Sequence, residues 1–379
     1  MKKTLLSLAL ATFAFGSTLQ AIDAKPTNPA LLYWQAAAVL PQFTPDQTKA
    51  LREMASGRQP FDATVAAKTL SDGKDALRLV LKAANSSVPC DWGLPMEEGP
   101  FMALPHVSKM QEMASISILQ AEALFAGGKT REGLDWLIVA HRLARHAGAG
   151  DLLISNLVQS AIETNALRAA ARHCLAWDAD TRKTYAALLK TLPPLHTTQA
   201  AYGGESALID WLDTRFTVAG TSKEQIEELL KLMEGSDKTQ DKEALRAQLT
   251  PEGVKAAVAE LRAFQAHVQA ALGEPWPQCH AILKAEDEGA QHSTYYLVRS
   301  FVPVTVGVGD KQFSMATLHT MLDAALEHGA QLDEATAATY HDAFAGESLR
   351  WKKNADGTFT LQTAQQHPEG KDLALQFGK

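Results

Sequence analysis

Residues 119–145 read LQAEALFAGGKTREGLDWLIVAHRLAR and contain the pattern that decides the fold class. An apolar series at helical spacing begins upstream at Met110 and stops at Gly127-Gly128. After the two glycines, a second series with spacings of three and four residues runs from Leu134 to Arg145. Two helices of similar length that are joined by a glycine-containing turn predict an αα-hairpin.

The rest of the chain favours more helices of the same kind. It contains 63 alanines and 48 leucines among 379 residues, and these are the strongest helix formers. Capping residues that precede proline, as in Asn28-Pro29, Thr44-Pro45 and Thr250-Pro251, predict helix starts. The hairpin resembles a tetratricopeptide repeat, but no second copy follows at the period of about 34 residues. We therefore expect a mainly α protein, either a multi-helix bundle or an irregular α-superhelix.

The C-terminal part changes character. Residues 347–364, ESLRWKKNADGTFTLQTA, alternate apolar and polar side chains around a turn at 354–357, which predicts a small β-hairpin. Helices are expected over 313–326 and 334–344, and the apolar, β-branched run 298–308 predicts a strand or a buried turn. We expect the tail from His367 to be weakly ordered.

The predicted domain organisation has three parts. Residues 1–21 form a signal peptide, 22–300 form a helical domain with an irregular loop at 85–105, and 301–379 form a small α+β module. The leader has two lysines, an apolar core over 5–15 and a small residue at Ala21. Its core of about eleven residues is too short to cross a membrane as a helix. The sequence thus predicts a periplasmic or secreted protein that starts at Ile22 or Lys25 and has no transmembrane segment after cleavage.

Composition and motifs exclude several function classes. The 36 basic and 43 acidic residues argue against a general nucleic-acid-binding protein. The chain has no P-loop, GxGxxG, HExxH, GxSxG or CxxC motif, so we predict neither a cofactor nor a metal site. Cys90, Cys174 and Cys279 allow either one disulfide with a spare thiol or three buried thiols, and their spacing does not distinguish the two.

The irregular loop carries the first group of candidate site residues. Candidates for catalysis are Asp91, Glu97, Glu98 and His106, because paired carboxylates can divide into a protonated acid and an ionised base. Trp92 is a candidate ligand-binding surface. The alternative is a surface loop that Trp92 and Phe101 pin in place and that Asp91 caps.

The second candidate group lies near the end of one predicted helix, in AHRLARHAG. Its members are His141, Arg142 and Arg145, with His146 beside them. They are candidates for binding a ligand, either an anion or a metal ion. The alternative is structural, because cations near a helix C-terminus are stabilised by the helix dipole.

Several segments resemble a group of exported proteins of planctomycete and verrucomicrobial bacteria that has no established activity. These are NPALLYWQAAAVLP at 28–41, CDWGLPMEEGP at 90–100, LPHVSKMQEMASI at 104–116, GLDWLIVAHRLARHAG at 133–148, LISNLVQSAIE at 153–163 and DAFAGESLRWKKNADGTFTL at 342–361. The resemblance implies an exported helical protein, and it implies no catalytic residue.

The last segment also resembles the C-terminal module of pseudopilins, in which a turn precedes a short β-hairpin. The matching residues are Asp342, Phe344, Gly346, Leu349, Trp351, Gly357 and Phe359. Ala343 replaces the usual proline, and both the calcium loop and the N-terminal methylation motif of pseudopilins are missing. The resemblance therefore implies a shared hairpin rather than a pilus subunit.

These observations lead to two functional hypotheses. The first is a non-enzymatic binding or scaffold protein of the cell envelope with a protein or peptide partner, because helical arrays offer concave binding surfaces. The alternative is an envelope hydrolase that uses the carboxylates and histidine of 91–106. A loop at 85–106 that lines a pocket favours binding there, whereas a loop that fills a gap between helices is only structural.

Overall fold

The computed structural model describes residues 27–218, 222, 224, 227, 246–364 and 373–378. The predicted signal peptide, residues 1–21, lies outside the described residues. Helices α1 to α7 occupy Pro29–Val39, Pro45–Ser56, Ala63–Asp72, Lys74–Ala84, Pro105–Ala126, Thr130–Gly148 and Leu153–Cys174. Helices α8 to α15 occupy Ala179–Lys190, Thr198–Gly204, Ser206–Asp213, Pro251–Ala271, Trp276–Gln291, Tyr296–Phe301, Thr305–His328 and Glu334–Ala337. The expectation of a mainly α protein is confirmed.

Local signals set the helix starts. The Asn28 side chain accepts a hydrogen bond from the backbone of Ala30 and caps α1. Thr44 and Gln47 form a reciprocal capping box at α2, and the Thr250 hydroxyl caps α11. In each case the cap satisfies backbone N–H groups that have no partner within the helix. The predicted starts are therefore confirmed.

The predicted αα-hairpin consists of α5 and α6, and α6 packs in turn against α7. Gly128 has φ of +73°, a conformation that favours glycine, in the turn between α5 and α6. Side chains on two sides of α6, such as Leu137 and Leu143, are fully buried. These three helices form the centre of the protein, and the other elements cover them.

Among the described residues, three large hydrophobic clusters surround this centre, and a small fourth cluster of Leu51, Met54 and Leu119 lies between α2 and α5. One joins α1, α4 and the 85–105 loop to α5 and α6, and another joins α9 to α13. The third contains residues of α5 to α8 together with α14 and the C-terminal sheet. The predicted C-terminal module thus shares a hydrophobic core with the central helices.

The C-terminal strands form an antiparallel sheet in the order β1-β2-β3. Strands β1 and β2 are Arg350–Lys353 and Phe359–Gln362, and Trp351 pairs with Leu361, so the predicted hairpin is confirmed. Strand β3, Ala374–Phe377, pairs with β2 and buries Leu375 and Phe377. For residues 373–378 the expected weak order is wrong, because these two side chains complete the core beneath the sheet.

Two further sequence predictions differ from the structure. Residues 298–308 form the end of α13, a short connection and the start of α14, so the predicted strand or turn is wrong. The Asp287 carboxylate accepts hydrogen bonds from the Thr305 and Val306 backbones and caps α14 from outside the segment. Helix α15 ends at Ala337 rather than at 344, because the following residues form a turn in which Asp342 accepts bonds from two backbone N–H groups.

The described helices include none that is both long enough and apolar enough to cross a membrane.

Candidate functional site: an arginine cleft between α2, α7 and β3

The 85–105 loop fills a gap between helices. The Trp92 indole N–H donates a 2.8 Å hydrogen bond to the backbone carbonyl of His146, and its ring stacks on His106 with 4.6 Å between centroids. Tyr33 lies on the same tryptophan at 6.0 Å. Trp92 is therefore a packing residue that anchors the loop to α1, α5 and α6.

The candidate catalytic residues of this loop are placed differently from one another. The side chains of Asp91, Glu97 and Glu98 are exposed, and Asp91 Oδ1 accepts a 2.9 Å bond from the backbone of Gly93. His106 is buried, and burial lowers its pKa to about 4. Within the described ranges, no hydrogen bond or ion pair joins a carboxylate of this group to His106. The hydrolase hypothesis stays a prediction.

His141 and Arg145 meet inside the protein on Glu163, a fully buried carboxylate of α7. His141 Nδ1 lies 3.0 Å from Glu163 Oε2, and its Nε2 lies 2.8 Å from the Tyr185 hydroxyl. The Arg145 guanidinium binds both carboxylate oxygens, and His319 Nε2 lies 3.0 Å from Oε1.

The charges of this network balance one another. Burial opposes ionisation of Glu163, but its contacts with His141, His319 and Arg145 outweigh burial and hold its pKa well below the usual value. Burial lowers the pKa of His141, whereas the nearby Glu163 carboxylate raises it. The effect of burial is the larger one, so the neutral imidazole is favoured. One carboxylate and one guanidinium therefore form a neutral pair, and the network has a structural role.

The other two residues of the AHRLARHAG group also have internal partners. The Arg142 guanidinium donates to the side-chain oxygen of Asn85, and His146 Nδ1 lies 2.8 Å from the Tyr33 hydroxyl. All four cationic or imidazole groups of this predicted site thus bind other parts of the protein.

A different cluster of positive charge lines a cleft between α2, α5, α7 and β3. Two cavities, of about 150 and 370 Å³, adjoin each other at Ser56. Arg52 and Arg58 line the smaller cavity, and Arg168 and Arg172 line the larger one. The larger volume lies within the range that is typical of ligand pockets.

Helical spacing explains why four residues of α7 line this cleft together. Ala161, Asn165, Arg168 and Arg172 follow one another at intervals of three or four residues and therefore share one face. Glu163 belongs to the opposite, fully buried face of the same helix. Helix α7 thus separates a neutralised interior from a cationic cleft.

Arg172 is the arginine of the cleft that has a carboxylate partner. Its Nε and Nη2 donate to Glu122 Oε1 at 3.0 and 2.6 Å, and Nη2 also donates to the Ala55 carbonyl at the end of α2. Glu122 Oε2 lies 2.8 Å from His173 Nε2. Arg172 thus holds α2, α5 and α7 together.

The remaining arginines have no such partner. Among the described residues, the side chains of Arg52, Arg58 and Arg168 make no hydrogen bond and no ion pair. Arg168 is half-buried, and burial followed by the charges of Arg58 and Arg172 lowers its pKa. A guanidinium that is partly desolvated beside like charges is stabilised by any anion that enters the cleft.

A larger groove of about 660 Å³ between α2 and α3 offers a useful contrast. Its rim includes Lys68 and Asp72, whose charged groups pair at 2.6 Å, and Asp46 adds a second carboxylate. Its charges are therefore mixed, and they do not favour one type of ligand. The arginine cleft is the better candidate site.

Sequence reasoning missed this cleft, although part of the signal was present. The i, i+3, i+7 spacing of Asn165, Arg168 and Arg172 marks a polar face on α7. Arg52 and Arg58 lie more than a hundred positions earlier, so the chain must fold before the two pairs meet.

In the described ranges no group of three His, Cys, Asp or Glu side chains is placed to hold a metal ion, and Cys90, Cys174 and Cys279 are buried free thiols.

Comparison of the chain with protein-family models, curated proteins and solved structures finds no match. The candidate function is therefore inferred from the chain's own residues.

Proposed function

We propose that this protein is an exported, non-enzymatic binding protein of the cell envelope, and that its arginine cleft receives an anionic group of its partner. One observation supports the proposal above all. Arg52, Arg58 and Arg168 border two cavities that share the wall residue Ser56, and these arginines have no carboxylate partner among the described residues. In a chain with a net charge of −7, such a local excess of positive charge is selective for anions.

Arginine suits this task because its planar guanidinium binds two oxygens of a carboxylate or a phosphate at once. Arg172 is already fixed by Glu122, so it contributes charge and shape. Arg168 contributes free donors from the half-buried wall, and Arg58 contributes donors from the exposed rim. Asn165 and Gln111 add neutral amide groups to the smaller cavity.

Binding of small anions tests the cleft. Citrate serves as a carboxylate probe and inorganic phosphate as a phosphate probe, each titrated by calorimetry at pH 7 and constant ionic strength. We expect saturable binding of at least one probe, and Arg168→Gln should weaken it about tenfold or more, since a charged hydrogen bond contributes about 1.5–3 kcal/mol. Arg78→Gln removes the same charge from an exposed position of α4 that lines neither cavity, and it should bind like the wild type.

The proposal is wrong if neither anion binds saturably. It is equally wrong if Arg168→Gln binds as tightly as Arg78→Gln. Far-UV circular dichroism and thermal unfolding of both variants show whether a loss of binding reflects a loss of fold.

Export is tested separately by processing of the chain. Expression of all 379 residues in a bacterium with a periplasm should yield a periplasmic protein whose first residue is Ile22 or Lys25. A cytoplasmic protein that retains Lys2 and Lys3 would contradict the envelope location.

A further inference from the structure

Strand β3 is an edge strand beside the arginine cleft. It pairs with β2 on one side, and among the described residues no strand pairs with its other side. Just beyond the strand, Gly378 N on that other side donates a 3.1 Å hydrogen bond to the Ala171 carbonyl of α7. The larger cavity of the cleft is lined by Ala374, Leu375 and Gln376 of β3. Ser56 and Arg168 line the same cavity from α2 and α7. Before the contact at Gly378, the outer side of β3 therefore faces one cavity together with Arg168 and Arg172.

The register shows which backbone groups of β3 point into that space. Thr363 N donates to Leu373 O at 3.0 Å, which identifies these two residues as a hydrogen-bonded pair just beyond the strand ends. Hydrogen-bonded and non-hydrogen-bonded pairs alternate along an antiparallel ladder. Leu375 and Phe377 therefore bond to β2, whereas Ala374 and Gln376 direct their N–H and C=O groups away from it.

The β1-β2 ladder gives the same result independently. Asn354 N donates to Thr358 O at 2.9 Å, so Lys352 and Thr360 form the next hydrogen-bonded pair. Thr360 therefore directs its backbone toward β1, and its neighbour in β3, Gln376, receives no bond from β2. Within the part of the chain that the structure describes, the backbones of Ala374 and Gln376 have no hydrogen-bond partner.

We propose that an extended acidic peptide segment of a partner protein adds to the free edge of β3 as a fourth strand and places its carboxylates against Arg58 and Arg168. This inference rests on the proposed function and specifies the ligand as a peptide. The edge of β3 offers both main-chain donors and main-chain acceptors, and a small anion can bind only the donors. The arginines attract negative charge and therefore select a peptide with acidic side chains. Side chains of a strand alternate between its two faces, so glutamates at every second position lie together on one face.

The length of β3 sets the size of the recognised segment. Its four residues span about 13 Å at about 3.3 Å per residue, and its two outward-facing residues offer up to four hydrogen bonds. A pentapeptide with glutamate at positions 1, 3 and 5 and valine between them is therefore a suitable probe. Fluorescence anisotropy of the labelled peptide measures binding.

A pair of variants at one position separates backbone from side chain. Gln376→Pro removes the outward-facing N–H and keeps the ladder to β2, since proline is tolerated on an edge strand when its nitrogen faces away from the neighbour. Gln376→Ala removes the side chain and keeps that N–H. We expect Gln376→Pro to weaken peptide binding about tenfold or more, while Gln376→Ala stays within about twofold of the wild type.

Two N-methylated peptides provide a test that leaves the protein unchanged. Methyl groups on the odd-numbered or on the even-numbered amides block opposite edges of an extended peptide. One of the two peptides should lose binding to the wild-type protein, and the other should bind like the parent. If both bind like the parent, or if Gln376→Pro binds like Gln376→Ala, strand addition is wrong.

The outcomes also distinguish this inference from the proposed function. Binding of citrate or phosphate that depends on Arg168, without binding of the pentapeptide, refutes the peptide and leaves the anion site in place. A wild-type dimer in sedimentation that Gln376→Pro converts to a monomer would show that a second copy occupies the edge, and it would overturn the proposal.

Discussion

Replacement of Glu163 by glutamine should destabilise the protein strongly. The variant keeps the shape of the side chain and removes its charge. The Arg145 guanidinium would then remain in the interior without a carboxylate, since its other described partner is the neutral Pro193 carbonyl at 3.0 Å. His141 and His319 would lose the same negative partner.

The expected size of the effect follows from the burial of these groups. The Glu163 side chain has no exposed surface, and that of Arg145 is 8% exposed. Removal of one member of a buried ion pair costs about 3–5 kcal/mol, because the other charge stays desolvated. Since a folded domain has only about 5–15 kcal/mol of stability, Glu163→Gln should lose a large part of it.

Urea denaturation at pH 7 measures the free energy of unfolding of the wild type, Glu163→Gln, Arg145→Met and the double variant. If the cost arises from an unpaired charge, the double variant should be less destabilised than the sum of the single variants by about 1–3 kcal/mol. Additivity within about 0.5 kcal/mol would refute the coupling of the two charges. A loss below about 1 kcal/mol for Glu163→Gln would refute the burial argument itself.

Three further outcomes are expected. Gly57→Ala should lower the free energy of unfolding, measured by thermal denaturation, by about 1–2 kcal/mol, because φ of residue 57 is +76° and the new methyl group would meet the Arg172 guanidinium. Gly307→Ala is the control, because its methyl group would meet no other atom, and it should be neutral or stabilising. Trp92→Phe should cost about 1–3 kcal/mol in urea, because the His146 carbonyl loses its 2.8 Å indole donor and keeps only the 3.3 Å bond from Ala149 N. An unchanged midpoint would contradict the anchoring role. Burial lowers the pKa of His106 in the folded protein to about 4, whereas the pKa of an unfolded histidine is about 6.5. Between these two pH values the unfolded chain binds more protons than the folded protein, so the free energy of unfolding should fall as the pH is lowered from ~6.5 to ~4. His106→Phe should make this decline shallower, and an NMR titration of His106 near 6.5 would contradict it.

The cation-rich end of α6 shows how far the candidate site could be predicted. The pattern AHRLARHAG places two basic residue types, Arg145 and His146, in the last turn of α6. It does not contain Glu163, which lies on the next helix and binds His141 and Arg145 from there. The sequence shows where basic residues cluster along the chain. Which carboxylate pairs with them depends on contacts between helices.

Local interactions explain what the sequence by itself determined: the mainly α class, the αα-hairpin around Gly128, the capped helix starts and the β1-β2 hairpin. Each depends on residues a few positions apart, whose capping bonds or apolar spacing are already present in the chain. The third strand and the 298–308 segment were decided by tertiary structure, because burial of Leu375 and capping by Asp287 come from distant elements. The same holds for the arginine cleft. Arg58 and Arg168 come to line two neighbouring cavities only when α2, α7 and β3 pack together, and the partial burial that desolvates Arg168 exists only in that packed state.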